Sequence, residues 1–333
     1  MRKLPVTSYW LLVTVAALGI LLARPSLNSP RQVYGVSFSA PQADWIGLDW
    51  RQTYDALLDD LGVRRVRLSA YWDRIEPEEE RPDFEDLDYQ MDRAAEKGAA
   101  VILAIGRKLP RWPECHEPEW VQSRTEEEKQ RRILEMLWAV VERYKGHPAL
   151  TMWQLENEPL FDFGECPPED HAFLAQEEAV IRTLDSDHPI LVTDSGELNS
   201  WLPAARYGDV LGTTMYRTVF SGRTHRLFSY DYIFPSWLYR AKARLVKLIR
   251  GKEVIIAELQ GEPWGSGPYI YISNEERQAS FSPARMQQLQ RFAQRTQLPE
   301  AYWWGAEYWY WEKEINDNPA YWEIAREFFA IEE

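Results

Sequence analysis

The chain has 333 residues, of which 45% are hydrophobic and 27% are charged, so it can form a sizeable core and bulk disorder is excluded. A length of this order is ordinary for a single barrel domain. The formal net charge of −14 excludes general nucleic-acid binding, because that function needs basic residues to neutralise phosphates.

Residues 1–32 are predicted to precede the folded domain. Arg2 and Lys3 come before an uncharged apolar run at residues 9–23, which is the pattern of an export signal. Residues 6–23 are nearly long enough to cross a bilayer, and no small-x-small cleavage motif follows them. This favours an uncleaved signal-anchor over a removed signal peptide, with a buried N-terminal helix as the remaining alternative. Either export signal places residues 33–333 outside the cytoplasm, anchored to the membrane or secreted.

From residue 33 onward, strand-like and helix-like segments alternate. The predicted strands are residues 33–39, 63–72, 99–106, 149–156, 189–194, 210–216, 254–259 and 301–307. The predicted helices are residues 50–62, 87–98, 125–144, 168–184, 235–250, a segment that begins at Ser282-Pro283, residues 319–329 and a weak helix near 198–206. The run at 99–106 is almost wholly apolar, as expected of a parallel strand that is buried on both faces. Thr125 and Glu128 are spaced as a capping box for the helix that follows.

This alternation predicts an α/β fold. Strict strand–helix alternation implies parallel strands joined by helical crossovers. Eight such units imply one closed (β/α)8 TIM barrel over residues 33–333. The main alternative is a doubly wound open sheet, which usually has a Gly-rich turn after its first strand, and none follows the first strand here.

Two carboxylates follow predicted strands at the rim where such barrels carry reactive groups. Glu158 comes after the fourth strand, and Glu258 lies at the end of the seventh. Cleavage of a glycosidic bond needs one carboxyl to protonate the leaving oxygen and another to attack the anomeric carbon or to activate water. When two carboxyl groups are held close together, the pKa of one rises above that of the other, so one can stay protonated near neutral pH. Although Asn157-Glu158-Pro159 alone is also typical of a turn, the two glutamates together are predicted to be catalytic.

Further residues at the strand ends match a known group of enzymes. The chain resembles the clan of retaining (β/α)8 glycoside hydrolases that includes the cellulase and mannanase family five. The resemblance rests on Asn157-Glu158-Pro159, Glu258, Arg67 in VRLSAYW, Tyr216, Trp304 in YWWGAE and the stretch at residues 71–88. It extends from about residue 33 to the end of the chain.

The resemblance implies a role for each residue. Glu158 would be the general acid/base, Glu258 the nucleophile, and Asn157 a ligand of the substrate 2-hydroxyl. Arg67 and Tyr216 would contact the nucleophile, with an ordinary core ion pair and simple packing as the respective alternatives. The strand-eight Trp304 would form the floor of the subsite next to the cleavage point, although Trp303 and Trp309 compete for that position.

The sequence departs from family five at two places. Gly106 stands near the position where that family usually has a His after the third strand. Thr214 stands where it has a His two residues before the tyrosine of the sixth strand. These differences indicate a divergent member of the clan and leave the sugar open.

Several other residues near the predicted rim have open interpretations. Sixteen Trp residues suit a protein that stacks sugars on indole faces, so Trp112 and Trp264 are interpreted as further subsites or as surface packing. Glu156 is predicted to be structural, because alternation directs it away from Asn157. Glu262 is left unassigned.

The cysteines and histidines favour no metal or cofactor chemistry. Cys115 and Cys166 fall in the loops after the third and fourth strands, where an exported chain can join them in a disulfide. The alternative is two separate free thiols. The five histidines are scattered without a metal-ligand spacing, so we predict no metal and no cofactor.

Two predicted rim loops are basic, at residues 106–112 and 217–228. Solvation of these charges or pairing with the many acids is the favoured interpretation. The alternative is that Arg107, Lys108 and Arg223 bind an acidic or substituted glycan.

Taken together, these patterns predict a carbohydrate-active enzyme. The expected reaction is hydrolysis of O-glycosidic bonds, often β-linked, by double displacement, with the two carboxyl groups about 5–5.5 Å apart. The alternatives are a transglycosylase that uses the same residues and a non-catalytic glycan-binding barrel at the cell surface. The sequence does not indicate an oligomeric state, and its expected membrane contact is the N-terminal segment.

Overall fold

The computed structural model describes residue 19 and residues 22–26, 31–168 and 170–330. Most of the predicted signal-anchor at residues 6–23 lies outside these residues. Within the described residues, no helix has both the length and the apolar character needed to cross a membrane.

The central element is a closed barrel of eight parallel strands. These strands are β1 (Val33–Ser37), β2 (Arg65–Ser69), β3 (Ala100–Ile105), β4 (Leu150–Leu155), β5 (Ile190–Asp194), β6 (Val210–Met215), β9 (Glu253–Gln260) and β10 (Glu300–Trp304). The strands follow one another around the barrel in chain order, and β10 closes it against β1. The (β/α)8 fold predicted from the alternation is therefore confirmed.

Helices connect the strands and cover the barrel. They are α1 (Ala40–Trp45), α2 (Trp50–Asp59), α3 (Trp72–Ile75), α4 (Glu85–Glu96), α5 (Glu126–Tyr144), α6 (His171–Leu184), α7 (Ser236–Arg250), α8 (Asn274–Ser280), α9 (Pro283–Thr296), α10 (Ala306–Ile315) and α11 (Ala320–Phe329). Helix α5 shows why the pattern was informative. Thr125 and Glu128 form the predicted capping box, and the helix buries Ile133, Leu137 and Val141.

The structure corrects three local predictions. The eighth strand ends at Trp304, because Gly305 adopts a φ of +95° and turns the chain into helix α10. The weak helix near 198–206 is reduced to a short 3-10 turn, Ala204–Arg206. The basic segment at 217–228 contributes to an antiparallel hairpin of β7 (Thr218–Ser221) and β8 (Arg226–Ser229).

The loops after β3 and β4 are joined at the rim of the barrel. Cys115 and Cys166 form a disulfide with a Cα–Cα distance of 5.3 Å. The Glu165 backbone N–H also donates to the Pro113 carbonyl at 2.9 Å. These links hold the two loops together beside the carboxyl end of β4.

Candidate active site

Glu258 lies on β9 and accepts hydrogen bonds at both carboxylate oxygens. Arg67 Nη1 donates to Oε1 at 2.8 Å, and the Tyr216 hydroxyl donates to Oε2 at 2.6 Å. Glu258 is buried, with 4% of its surface exposed. Two donors of this kind stabilise a carboxylate that has been removed from water.

Arg67 connects three parts of the site. Its Nε donates to Gln154 Oε1 on β4 at 2.6 Å, and its Nη2 donates to Asn157 Oδ1 at 2.9 Å. Together with the bond to Glu258, these contacts fix a guanidinium that is itself fully buried. Arg67 therefore forms a buried ion pair in the core, and its partner Glu258 lines the central cavity.

Glu158 follows β4 in a left-handed backbone conformation, with a φ of +45°. Its backbone N–H donates to Thr193 Oγ1 at 2.8 Å, and Thr214 Oγ1 donates to its Oε1 at 3.1 Å. Thr214 on β6 is in register with Glu258 on β9. Thr214 thus connects the two predicted catalytic residues, through its hydrogen bond to Glu158 and its strand pairing with Glu258.

The pKa of Glu158 is raised well above that of an ordinary glutamate. Burial is the largest cause, followed by the negative charges of Glu258 and Glu114. The Thr214 hydrogen bond and the charge of Lys108 oppose the rise. Glu158 therefore holds its proton to higher pH than a solvated glutamate does, as a general acid must.

Glu114 is a third carboxyl at the site, and the sequence did not reveal it. Its Oε2 accepts a hydrogen bond from Asn157 Nδ2 at 2.9 Å, and 6% of its surface is exposed. Burial raises its pKa to about 8. Glu114 lies in an irregular loop after β3, where neither periodicity nor a recognisable motif marks a residue as functional.

Trp304 lines the cavity, whereas its neighbour Trp303 packs into the core. Trp303 contacts Trp309 and Phe328, with ring centroids 5.7 and 5.5 Å away. Trp304 Nε1 donates to Glu262 Oε1 at 3.0 Å. Strand alternation thus directs Trp304, and not Trp303, towards the cavity, whereas Trp309 is buried in helix α10.

Five of the six predicted residues line one cavity of about 880 Å³, and the sixth, Arg67, bonds Glu258 and Asn157 of that lining. A volume of this size is typical of a small-molecule site. Trp264 lies beside Tyr216, with ring centroids 4.9 Å apart. Trp112 is 63% exposed at the rim and contacts Phe163 edge-to-face at 6.2 Å.

Both departures from family five have a local explanation. At Gly106, a Cβ atom would lie 2.5 Å from Glu156 Oε1, and the φ of +131° disfavours any side chain. The Glu156 carboxylate accepts hydrogen bonds from the backbone N–H groups of Arg107 and Lys108. Glu156 is structural, as predicted, and it excludes a histidine at position 106. At the second position, Thr214 bonds Glu158 directly.

The basic residues of the β3 loop are bound to the protein itself. Arg107 pairs with Glu117 at 3.1 Å and with Glu126 at 2.9 Å. Lys108 Nζ donates to the backbone carbonyls of Glu158 and Phe161. Arg107 and Lys108 therefore match the pairing interpretation and not a clamp for an acidic glycan. In the described part of the chain, no group of three or more His, Cys, Asp or Glu residues is arranged to hold a metal ion.

Residues 43–229 match the sequence profile of the Glyco_hydro_42 family, which is described as β-galactosidase. The match covers more than half of the chain. The chain belongs to glycoside hydrolase family 42. The matched region contains Arg67, Asn157, Glu158 and Tyr216, and it ends before Glu258.

This family 42 chain is also similar to individual proteins. It is 29% identical over 151 residues to the β-galactosidase LacZ of Heyndrickxia coagulans, a match that covers 40% of this chain and 22% of LacZ. The chain thus spans only about a fifth of that relative. The β-galactosidase of Rahnella sp. R3 superimposes with a TM-score of 0.61 at 12% identity, over 92% of this chain and 56% of the other.

A family five structure is similar as well. GH5_18 from Bifidobacterium longum subsp. longum superimposes with a TM-score of 0.58 at 15% identity, covering 83% of this chain and 70% of the other. At such identities the structural matches show the fold. Together with the family match, they confirm the resemblance to the clan.

Proposed function

We propose that this protein is a retaining glycoside hydrolase that acts on β-glycosides. The observation that carries the proposal is the pairing of two buried glutamates at one cavity. Glu258 is held by Arg67 and Tyr216, whereas Glu158 has a pKa raised by burial and by Glu258 itself. One carboxyl is thus prepared to attack and the other to donate a proton.

In the first step, Glu258 attacks the anomeric carbon and the bond to the leaving oxygen breaks. The proton of Glu158 moves to that oxygen, and the leaving group departs as an alcohol. The product is a glycosyl ester of Glu258 together with an ionised Glu158. Asn157, fixed by Arg67, is the proposed ligand of the 2-hydroxyl of the sugar.

In the second step, Glu158 removes a proton from water, and the water oxygen attacks the anomeric carbon. The ester bond to Glu258 breaks, and the sugar leaves with its original configuration. The change of role follows from charge. Esterified Glu258 is neutral, so one cause of the raised pKa of Glu158 disappears and Glu158 becomes able to act as a base.

β-Galactosides are the first sugars to test. The family 42 profile and the relatives from Heyndrickxia coagulans and Rahnella sp. R3 all carry the name β-galactosidase. Transglycosylation at the same site is a second candidate, because a sugar hydroxyl can replace water in the second step. A non-catalytic glycan-binding barrel is disfavoured by the presence of both glutamates at the cavity.

The test compares the full-length protein in detergent with its Glu258→Gln variant on aryl β-galactoside and a panel of other β-linked sugars. Glu253→Gln is the matched control, since Glu253 lies on the same strand with an exposed side chain. We expect turnover in the parent and in the control, loss in Glu258→Gln, and a first product with the β configuration by NMR. A first product with the α configuration would contradict the retaining mechanism. Sugar binding without turnover in the parent would favour the binding barrel.

We further propose that residues 6–23 anchor the protein to a membrane, with the barrel on the extracytoplasmic side. The support is the order of a charged segment, an apolar segment and a linker in the sequence. Protease added to intact cells should digest the barrel, and salt washing should leave the protein with the membranes. Full protection in intact cells, or release by salt, would contradict this location.

A further inference from the structure

Glu114 occupies a position in the cavity that the double-displacement steps do not use. Its carboxyl is buried, it accepts a hydrogen bond from Asn157, the residue before Glu158, and it lines the same cavity as Glu158. Resting on the proposed function, we propose that Glu114 is a positioning residue that orients the Asn157 amide towards the sugar 2-position and places a third, ionisable carboxyl beside the acid Glu158.

The orientation of the Asn157 amide is fixed from both ends. Its Oδ1 accepts hydrogen bonds from Arg67 Nη2 at 2.9 Å and from Thr193 Oγ1 at 3.3 Å. Its Nδ2 donates to Glu114 Oε2 at 2.9 Å. If the amide were flipped, its NH2 group would face the donors of Arg67 and Thr193, and its oxygen would face the acceptor Glu114 Oε2. Since an amide nitrogen carries two hydrogens, one remains to bond a ligand.

The loop is built closely around Glu114. Its backbone N–H donates to the Arg111 carbonyl at 2.7 Å, and its carbonyl accepts from the Leu109 N–H at 2.8 Å. A Cβ atom on Gly164, in the loop after β4, would lie 2.6 Å from the Glu114 Cβ. The next residue, Cys115, is in the disulfide. Glu114 therefore has little freedom to move away from Asn157.

Charged and polar groups act on Glu114 from β2, from β9 and from the loops after β3 and β4. Burial raises its pKa to about 8, with Glu258 on β9 adding to the rise. The Asn157 hydrogen bond, Lys108 after β3 and Arg67 on β2 oppose it. Glu114 is thus protonated near neutral pH and ionised in mildly alkaline solution. Its negative charge, once formed, raises the pKa of Glu158.

The two parts of the proposal call for two different substitutions. Glu114→Gln keeps an oxygen that can accept from Asn157 but cannot ionise. Glu114→Met keeps a similar length and removes the acceptor. Glu165→Gln is the control, because Glu165 lies in the adjoining loop with an exposed side chain.

For Glu114→Gln we expect the basic limb of the kcat/KM profile to move to lower pH by roughly one unit, because Glu158 loses a neighbouring negative charge. For Glu114→Met we expect kcat/KM to fall about tenfold on the 2-hydroxy substrate, the effect of one hydrogen bond, and clearly less on the 2-deoxy analogue. Glu165→Gln should match the parent in both measurements. An unmoved basic limb, or equal losses on both substrates, would overturn the corresponding part.

A measurement without turnover separates this inference from the proposed function. In protein labelled with ¹³C at the glutamate carboxyls, one resonance should titrate near pH 8 and vanish in Glu114→Gln. The Glu158 resonance is assigned by its loss in Glu158→Gln. In the single variant Glu114→Gln, this resonance should titrate at lower pH than in the parent. The activity of Glu258→Gln tests the proposed hydrolase function. If the two NMR changes are absent, the role of Glu114 is overturned, whether or not a substrate has been found.

Discussion

The guanidinium carbon of Arg111 lies 4.1 Å from the centroid of the Trp304 indole ring. A cation at this distance is attracted by the face of the ring. Arg111 also pairs with Glu262 at 2.6 Å and with Glu307 at 2.9 Å. The tryptophan proposed to contact the sugar is therefore held by an ion-pair cluster, since Glu262 also accepts from the indole N–H.

Arg111→Ala should destabilise the fold. Glu262 and Glu307 are buried, and removal of one partner from a buried ion pair lowers the free energy of unfolding by about 3–5 kcal/mol. Burial already raises the pKa of Glu307 and Arg111 opposes that rise, so without Arg111 this pKa rises further. The difference in unfolding free energy between the parent and the variant should therefore become smaller as the pH falls and Glu307 takes up a proton.

Urea unfolding of the variant and the parent at neutral and at acidic pH measures both effects. Arg223→Ala, at an exposed arginine in the turn between β7 and β8, is the control. A loss below about 1 kcal/mol, the range of exposed ion pairs, would show that the cluster is not an important element of stability.

Removal of the proposed acid should affect substrates according to their leaving groups. For Glu158→Gln we expect kcat/KM to fall by about 10²–10⁴-fold when a sugar leaves, and far less when dinitrophenolate leaves without protonation. Azide should then accelerate turnover and give a β-glycosyl azide. An equal loss on both substrates would argue against Glu158 as the acid.

The Thr214 hydroxyl bonds Glu158 and opposes the rise in the pKa of that carboxyl. Thr214→Val should therefore raise this pKa and move the basic limb of kcat/KM to higher pH. The shift is opposite to the one expected for Glu114→Gln. This difference in sign distinguishes both effects from general damage to the site.

Tyr216→Phe should weaken the reaction without altering the fold. The pKa of Tyr216 is raised well above its ordinary value by burial and by Glu258, so the hydroxyl remains a donor throughout any practical assay. Loss of a hydrogen bond to a charged group is worth about 1.5–3 kcal/mol, so kcat/KM should fall roughly 10–100-fold. Tyr232→Phe, at a tyrosine that is 97% exposed, is the control. An unchanged kcat/KM in Tyr216→Phe would show that the Tyr216 hydroxyl does not contribute to the reaction.

Trp112→Ala should affect only substrates with long leaving groups. Trp112 packs on Phe163, and both line the same cavity as Glu158, the proposed proton donor to the leaving group. An aromatic contact of about 0.5–1.5 kcal/mol predicts a roughly three- to tenfold fall in kcat/KM for an oligosaccharide. A glycosyl fluoride, whose leaving group does not extend to the rim, should be cleaved at the parental rate.

The control for this substitution is Trp237→Ala on helix α7, at a tryptophan with similar exposure outside the cavity lining. The quantity to compare between the variants is the ratio of kcat/KM for the oligosaccharide to kcat/KM for the glycosyl fluoride. A parental ratio in Trp112→Ala would assign Trp112 to surface packing, the other interpretation of its sequence.

The site residues predicted from the sequence lie in barrel strands or directly after them. Arg67, Glu158 and Glu258 could be placed on one rim because parallel strands end together at the same edge. The structure joins Arg67 to Glu258 and brings Glu158 to the same cavity. Strand alternation likewise assigned Trp304, and not Trp303, to the cavity side.

Glu114 and Arg111 could not be found in this way. Both lie in the loop after β3 with positive φ angles, +74° for Glu114 and +87° for Arg111, which no propensity predicts for these residue types. Their positions depend on contacts from distant segments. Glu262 and Glu307 hold Arg111, and Asn157 and the loop at Gly164 hold Glu114.

Local sequence patterns are sufficient to predict the barrel and the position of the two glutamates on its rim. Burial of parallel strands on both faces and helix amphipathicity are local patterns, and eight repeats of them leave little choice of topology. The surroundings of those glutamates depend instead on tertiary packing. Irregular loops have no period, so the positions of Glu114 and Arg111, and with them the raised pKa of Glu158 and the covered face of Trp304, are set by packing between segments far apart in the chain.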